Sequence, residues 1–265
     1  MANIQIETGV SYRIEKLNFS VGQLSIVKDI SHCFEAGSLS TIIGPNGAGK
    51  TTLLKIMSGE LNPSSGKVYI NGRDLRELSL KERARLRAVM TQNSVIVFDF
   101  RVDEILEMGW ISGSLRGFRK CRSAIISGCG LEGITHRRFN SLSGGEQQRV
   151  QFARALLQTS SNDSLDEEQF LLLDEPTSNM DVAHELNLLK LARDALEEQV
   201  GVVVVLHDLN LAARFSDQII LMDSGKVVAS GEPEKVLSGK ILSEIYATPI
   251  QVERHEQLDR LVVYS

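Results

Sequence analysis

At 265 residues the chain amounts to about 1.8 average domains, which fits one large α/β domain carrying an insertion as well as two small ones. It is 42% hydrophobic and 24% charged, which excludes disorder and a fibrous class, and its net charge of −5 argues against a nucleic-acid partner. Cys33, Cys121 and Cys129 form an odd set with no CxxC pair, so neither a disulfide framework nor a zinc finger is expected and a reducing compartment is the natural setting.

The start, Met1-Ala2-Asn3-Ile4-Gln5, has neither a basic region nor an apolar core and does not read as a signal peptide. Short alternating stretches at Ile4 to Glu7, Ser11 to Phe19 and Ile26 to Phe34, punctuated by glycines, predict antiparallel β structure. Leu39 to Ile43 predicts a buried strand running into a glycine-rich loop, and Thr51 onward a helix that stops at Gly59. A strand over Lys67 to Ile70 follows, then a turn at Asn71-Gly72 and a basic helix over 79–88. Between 96 and 142 short helical stretches are broken by glycines, which predicts an inserted helical subdomain. A helix over Glu146 to Gln158 precedes a polar loop, Thr159 to Glu168. Two continuously apolar strands, Phe170 to Leu173 and Gly201 to Leu206, flank the helical segment Val182 to Glu198 and predict a parallel sheet covered on both faces. Strands over Gln218 to Met222 and Lys226 to Ala229 close the unit. No run approaches about 18 apolar residues, so the chain reads as soluble and cytoplasmic, reaching a membrane only through a partner.

Three constellations carry chemistry. Gly44-Pro45-Asn46-Gly47-Ala48-Gly49-Lys50-Thr51, followed by Thr52, fits GxxxxGK[ST] between a strand and a helix. Only glycines let the backbone wrap a triphosphate and aim N–H groups at it; Lys50 then reaches the β and γ phosphates and Thr51 offers its hydroxyl to Mg²⁺. Phe170-Leu-Leu-Leu-Asp174-Glu175 ends an apolar strand in two acids at the carboxyl edge of the sheet, where ligands of open α/β sheets bind. Asp174 is placed to hold Mg²⁺, and Glu175 to take a proton from an attacking water. Finally, in Leu142-Ser143-Gly144-Gly145-Glu146-Gln147-Gln148-Arg149, Ser143 and Glu146 stand at capping-box spacing and the paired glycines leave a helix start open to a second anion. One chain with one phosphate loop and a second phosphate-binding helix end suggests a dimer in which each chain caps the other's nucleotide.

Phosphate loop, LSGGEQQR and acid strand in this order resemble the ATP-binding cassette family over nearly the whole chain. The resemblance implies a RecA-like P-loop core over 1–95 and 143–265 with an N-terminal antiparallel β subdomain, and the helical subdomain over 96–142. It further implies that Gln92 links the Mg²⁺ site to the transporter-facing surface, that His207 contacts the γ-phosphate, and that Asp181 touches the partner subunit. Two positions depart from the family pattern. Val21 stands where an aromatic residue stacks on adenine, leaving Phe19 and Tyr12 as substitutes, and Asn179-Met180 replaces the usual Ala-Leu before Asp181.

The resemblance is closest to importer ATPases for haem, ferric siderophores and cobalamin, through Arg87 to Gln92, Phe98 to Gly109 and Leu206 to Ala213; the polar insertion at 159–168 favours haem. It implies ATP and Mg²⁺ as cofactors, a homodimer with ATP at the interface, two membrane-embedded permease subunits, a periplasmic or surface substrate-binding protein, and a peripheral position on the cytoplasmic face of the inner membrane. The cysteines and the five histidines lack any axial-ligand motif, so no direct contact with the cargo is expected. Basic clusters at Arg83-Arg85-Arg87 and Arg116 to Arg122 read as solvated helix faces, or as surfaces meeting the membrane subunit or lipid headgroups. A chromosome-maintenance cassette would insert a long coiled coil where only 92 residues separate Lys50 from Ser143. A P-loop kinase would have no use for Ser143-Gly144-Gly145.

Overall fold

The computed structural model describes residues 11–92, 96–160 and 167–265. The strand expected at Ile4 to Glu7 and most of the polar insertion lie outside the described residues. The chain opens with β1 (Ser11–Val21), β2 (Leu24–Glu35) and β3 (Leu39–Ile43), followed by α1 (Lys50–Ser58), β4 (Ser65–Ile70) and β5 (Arg73–Asp74). Then come α2 (Leu80–Leu86), β6 (Arg87–Met90), α3 (Val102–Gly109), α4 (Leu115–Gly128), α5 (Gly144–Thr159), β7 (Phe170–Asp174) and α6 (Val182–Asp194). The last third holds β8 (Gly201–Val205), α7 (Leu209–Phe215), β9 (Gln218–Asp223), β10 (Lys226–Gly231), α8 (Pro233–Val236), α9 (Gly239–Tyr246), β11 (Gln251–His255) and β12 (Arg260–Tyr264).

Strands β2-β1-β4-β5 form an antiparallel sheet, and β10-β9-β3-β8-β7-β6 a mixed one in which only the edge strand β10 runs antiparallel. β3, β7 and β8 are buried along their whole length, which is why they read as unbroken apolar runs. One core lies between the two sheets, around Tyr12, Phe34, Leu53, Met57 and Leu172. A second joins α3 and α4 to α5 and the opposite face of the parallel sheet. Helix α5 is the hinge of this arrangement, with Val150, Ala153, Leu156 and Leu157 all buried.

Two expectations are corrected, and a third point adds a segment that had no expectation. The basic stretch 79–88 is only partly helix: α2 ends at Leu86, and Arg87 opens β6, paired in parallel register opposite Phe170. Burying Ala88 and Met90 on the sheet overrides the helical bias of the run, and the Arg87 side chain turns inward beside the Tyr12 phenol rather than joining a solvated face. Tyr12 is itself buried, its hydroxyl donating to the Met57 carbonyl and its ring edge-on to Phe170, so it is not available to a base. The third concerns 232–265, where nothing was foreseen beyond the last strand. There α8, α9 and the β11-β12 hairpin pack on Ile43, Ala212 and Leu221.

Candidate active site

Four neighbouring parallel strands, in the order β3-β8-β7-β6, deliver one chemical group each from their carboxyl ends. β3 runs into the phosphate loop. Gly44, Gly47 and Gly49 adopt φ of 146°, 80° and 97°, the region that favours glycine. Packing sharpens the requirement: a Cβ on Gly44 would sit 2.1 Å from the Met222 carbonyl oxygen, and one on Gly49 2.7 Å from that of Ile26. Ala48 is buried beneath the loop, while Asn46 is exposed on it and Thr52 is half-buried in the first turn of α1. Lys50 Nζ donates to the carbonyls of Gly44 (2.8 Å) and Pro45 (3.0 Å). Burial lowers the ammonium's pKa, and the nearby Glu175 and Asp174 carboxylates oppose that shift.

β7 ends in the two acids. Asp174 is buried and accepts a 3.0 Å hydrogen bond from Thr51 Oγ1. Burial raises its pKa, the Thr51 hydrogen bond pulls it back, and the Glu175 charge pushes it up again. Glu175 bends out of the strand at φ 50°, with its N–H on the Val205 carbonyl at 3.2 Å. Its carboxylate is held from both sides. Gln92, just beyond β6, donates from Nε2 to Oε2 at 2.5 Å, and His207, just beyond β8, donates from Nε2 to Oε1 at 2.5 Å. Lys50, Thr51, Gln92, Asp174, Glu175 and His207 thus form one continuous polar cluster on the edge of a dry sheet.

The signature residues stand apart from this cluster. Ser143 caps α5 in a reciprocal capping box: its hydroxyl accepts from Glu146 N (3.3 Å), and Glu146 Oε2 accepts from Ser143 N (2.7 Å). Gly144 has open space where a Cβ would lie, whereas a Cβ on Gly145 would come 3.0 Å from the Asn179 carbonyl oxygen. These residues, with Arg149, Asp181 and His184, line a cleft of about 560 Å³ that includes no residue of the phosphate loop. Asp181 caps α6, accepting from the His184 backbone N–H (3.0 Å) and facing His184 Nδ1 at 2.8 Å. Those two hydrogen bonds hold its carboxyl below the usual range. A bridge from Gln148 Nε2 to Ser178 Oγ, and from Ser178 Oγ to the Glu175 carbonyl, ties the signature helix to the acid strand. His184 and Arg149 were not singled out from sequence. The readable signal for His184 was its place three residues after a capping aspartate.

The ABC transporter family profile matches residues 27–178. The chain belongs to the ABC transporter family. It is an ATPase of that family, with the mixed α/β architecture of an ABC cassette. Similar curated proteins include the hemin import ATP-binding protein HmuV of Rhizobium meliloti (strain 1021), 40% identical over 242 residues, covering 91% of this chain and 92% of that one. HmuV of Agrobacterium fabrum (strain C58 / ATCC 33970) is 41% identical over 221 residues, covering 83% and 85%. Among solved structures, the dimeric bacterial ABC transporter cassette MJ0796 aligns with a TM-score of 0.71 at 28% identity, covering 84% of this chain and 98% of that one. An ATP-binding subunit of an ABC transporter aligns at 0.77 but 22% identity, which speaks to the fold alone.

Proposed function

We propose that this ABC ATPase hydrolyses MgATP as the motor of a haem importer. It works as a homodimer bound to two membrane-embedded permease subunits that receive cargo from a substrate-binding protein. The observation carrying the chemistry is the Glu175 carboxylate gripped between Gln92 and His207 beside Lys50. The haem assignment rests on relatives named for hemin import at about 40% identity over most of both chains. Such a subunit sits on the cytoplasmic face of the membrane; among the described residues no helix is long and apolar enough to cross it.

In this reading the backbone N–H groups from Gly44 to Thr52 bind the triphosphate, and Lys50 leaves the Gly44 and Pro45 carbonyls to meet the β and γ phosphates. The donor set suits Mg²⁺: a threonine hydroxyl and a buried carboxylate are hard oxygen ligands already 3.0 Å apart, and the Gln92 amide is held on the adjoining Glu175. Thr51, Asp174 and Gln92 would hold the ion, which when bound supplies positive charge against the phosphate oxygens. Glu175 accepts a proton from the attacking water, and His207 fixes the carboxylate and contacts the γ-phosphate. Ser143, Gly144, Gly145 and Asp181 of the partner subunit complete the site in the closed dimer. Residues 1–95 and 143–265 act as the nucleotide core, and 96–142 as the unit that carries closure to the permease through Gln92. The cargo touches none of these residues.

The test is to purify the chain with its permease from the native host, reconstitute it in proteoliposomes and measure ATPase stimulation and uptake with hemin. Stimulation by a ferric siderophore or cobalamin, and not by hemin, would replace the cargo and leave the ATPase reading standing.

A further inference from the structure

The C-terminal segment, α8 through β12, has no part in the mechanism above, yet it touches two pieces of the active site from below. Its first contact is with the phosphate loop. Tyr246, the last residue of α9, sets its phenol close to the Gly44 backbone, and α9 packs its Leu242 in one cluster with Ile43. The second contact is with α7, the helix whose cap, Asp208, directly follows His207. Asn210 Nδ2 donates to the Val263 carbonyl at 2.9 Å, and the Val263 N–H donates to Asn210 Oδ1 at 2.8 Å. A side-chain amide satisfying both backbone groups of one strand residue is a two-point clamp, which fixes direction as well as distance.

The clamp lies three residues from His207, and the intervening turn is tied to α7 by its cap. Asp208 caps α7, its Oδ1 accepting from the N–H groups of Asn210 (2.7 Å) and Leu211 (3.1 Å). Movement of Asn210 therefore moves the turn that bears His207. That matters because the His207 side chain is about half exposed and is held by its hydrogen bond to Glu175. A ring so placed needs its backbone held from the other side.

We propose that Asn210 is a positioning residue for ATP hydrolysis, clamping α7 to the C-terminal β11-β12 hairpin so that His207 is held against Glu175. The inference rests on the roles given above to Glu175 and His207. It makes the hairpin a brace for the reaction rather than an appendage. Displacing a catalytic constellation by an ångström from a distance slows chemistry by up to about a hundredfold, so a partial release at Asn210 should slow it by about tenfold.

The test is a double-mutant cycle on the full-length chain, with kcat and KM for MgATP, ATP binding and thermal unfolding measured for wild type, Asn210→Ala, His207→Ala and the double variant. Asn210→Ala should lower kcat about tenfold with KM within about twofold, since the phosphate loop is untouched, and should add nothing on the His207→Ala background. A merely structural role would reduce both backgrounds alike. The proposal is overturned by an unchanged kcat in Asn210→Ala, or by a double variant slower than His207→Ala by the full factor of the single change. Wild-type turnover in His207→Ala would instead remove His207 from the mechanism, and the clamp's catalytic role with it. If Asn210→Ala does not fold, the cycle is run with Asn210→Asp, which keeps the acceptor for the Val263 N–H but replaces the donor with a carboxylate oxygen facing the Val263 carbonyl. A drop in its kcat that vanishes on the His207→Ala background supports the clamp, and one that persists there overturns it.

Discussion

The chain presents two helix starts to anions and prepares them in opposite ways. α1 begins at Gly49 with no side-chain cap and no acid in its first turn, and Lys50 adds a buried cation. α5 begins at Ser143 with a full capping box, so its first N–H groups are already partly satisfied by a hydroxyl and a carboxylate. The Ser143 backbone N–H and hydroxyl hold the Glu146 carboxyl below its usual range, which keeps a negative charge at that helix start. In the proposed reading, the first helix end binds the triphosphate by itself, and the second, already partly satisfied, meets a phosphate only when the other subunit has bound it. The proposed sandwich dimer uses this asymmetry: one half holds the nucleotide tightly and the other half reports on it.

The largest expected effect lies on the binding half. Glu175→Gln keeps the size of the side chain and removes the base, so steady-state turnover should fall by roughly 10²–10⁴ while ATP binding by equilibrium dialysis is retained. Wild-type turnover would take Glu175 out of the chemistry.

The reporting half gives the sharper contrast, because its key glycine is not needed for the fold. A Cβ on Gly144 meets nothing within 4 Å in this chain. Alanine in a helix is favoured over glycine by about 0.5–1 kcal/mol, so Gly144→Ala should leave thermal stability level or raised. It should bind ATP normally and yet lose about tenfold or more in turnover, because the added methyl meets the partner's nucleotide. Normal hydrolysis in a stable Gly144→Ala protein would dissolve the distinction between the two helix starts.

How much of this was legible beforehand follows the same physics. The phosphate loop, the acid strand and the signature cap are local patterns, with glycine at positive φ, an unbroken apolar run and a three-residue capping interval, and each formed where the residues placed it. Arg87 misled because the decision to make β6 a strand is taken by β7, eighty-odd positions away, and because its own guanidinium turns inward beside Tyr12. Tyr12 misled for the mirror reason: an aromatic near the expected adenine site is indistinguishable in sequence from one filling the core. The β11-β12 hairpin left little signal, since β11 is almost wholly exposed and has no buried alternation. Its place is set by α7 and by the Asn210 amide.

A smaller effect separates stability from function inside the binding half. Burial raises the Asp174 pKa, so ionising it costs more in the folded than in the unfolded chain. A raised folded pKa contributes stability below the ordinary aspartate range and loses it as pH rises through the raised value, which makes the ionised carboxylate a destabilising group at neutral pH. Asp174→Asn keeps an acceptor for Thr51 and should stabilise the chain by about 1 kcal/mol at pH 8, or about 2–4 °C in melting temperature. The gain should shrink on acidification, and hydrolysis should be lost. A variant that melts lower than wild type at pH 8 would show that the carboxylate is a net support of the loop.

The smallest effect concerns the far end of the nucleotide. The resemblance puts the base beside the β1-β2 hairpin, and the structure brings that hairpin against the phosphate loop: Lys28 N donates to the Gly225 carbonyl at 2.8 Å, and Gly225 N to that of Ala48 at 3.1 Å. What the hairpin offers a base is modest. Val21 is 60% exposed at its end, Phe19 is half-buried against the core, and Tyr12 is sealed away. Since this hairpin exposes no aromatic ring fully among the described residues, the proposed reading has the loop's N–H groups and Lys50 carry most of the affinity, and contacts worth under about 1.4 kcal/mol cannot separate nucleotides by more than tenfold. GTP should therefore bind within about tenfold of ATP. Phe19→Ala should weaken ATP binding by at most the ~0.5–1.5 kcal/mol of one aromatic contact, and Tyr12→Ala should act on thermal stability instead. Titrating both nucleotides against the three proteins decides the matter. A strong ATP preference that neither substitution disturbs would place the adenine contacts somewhere other than this hairpin.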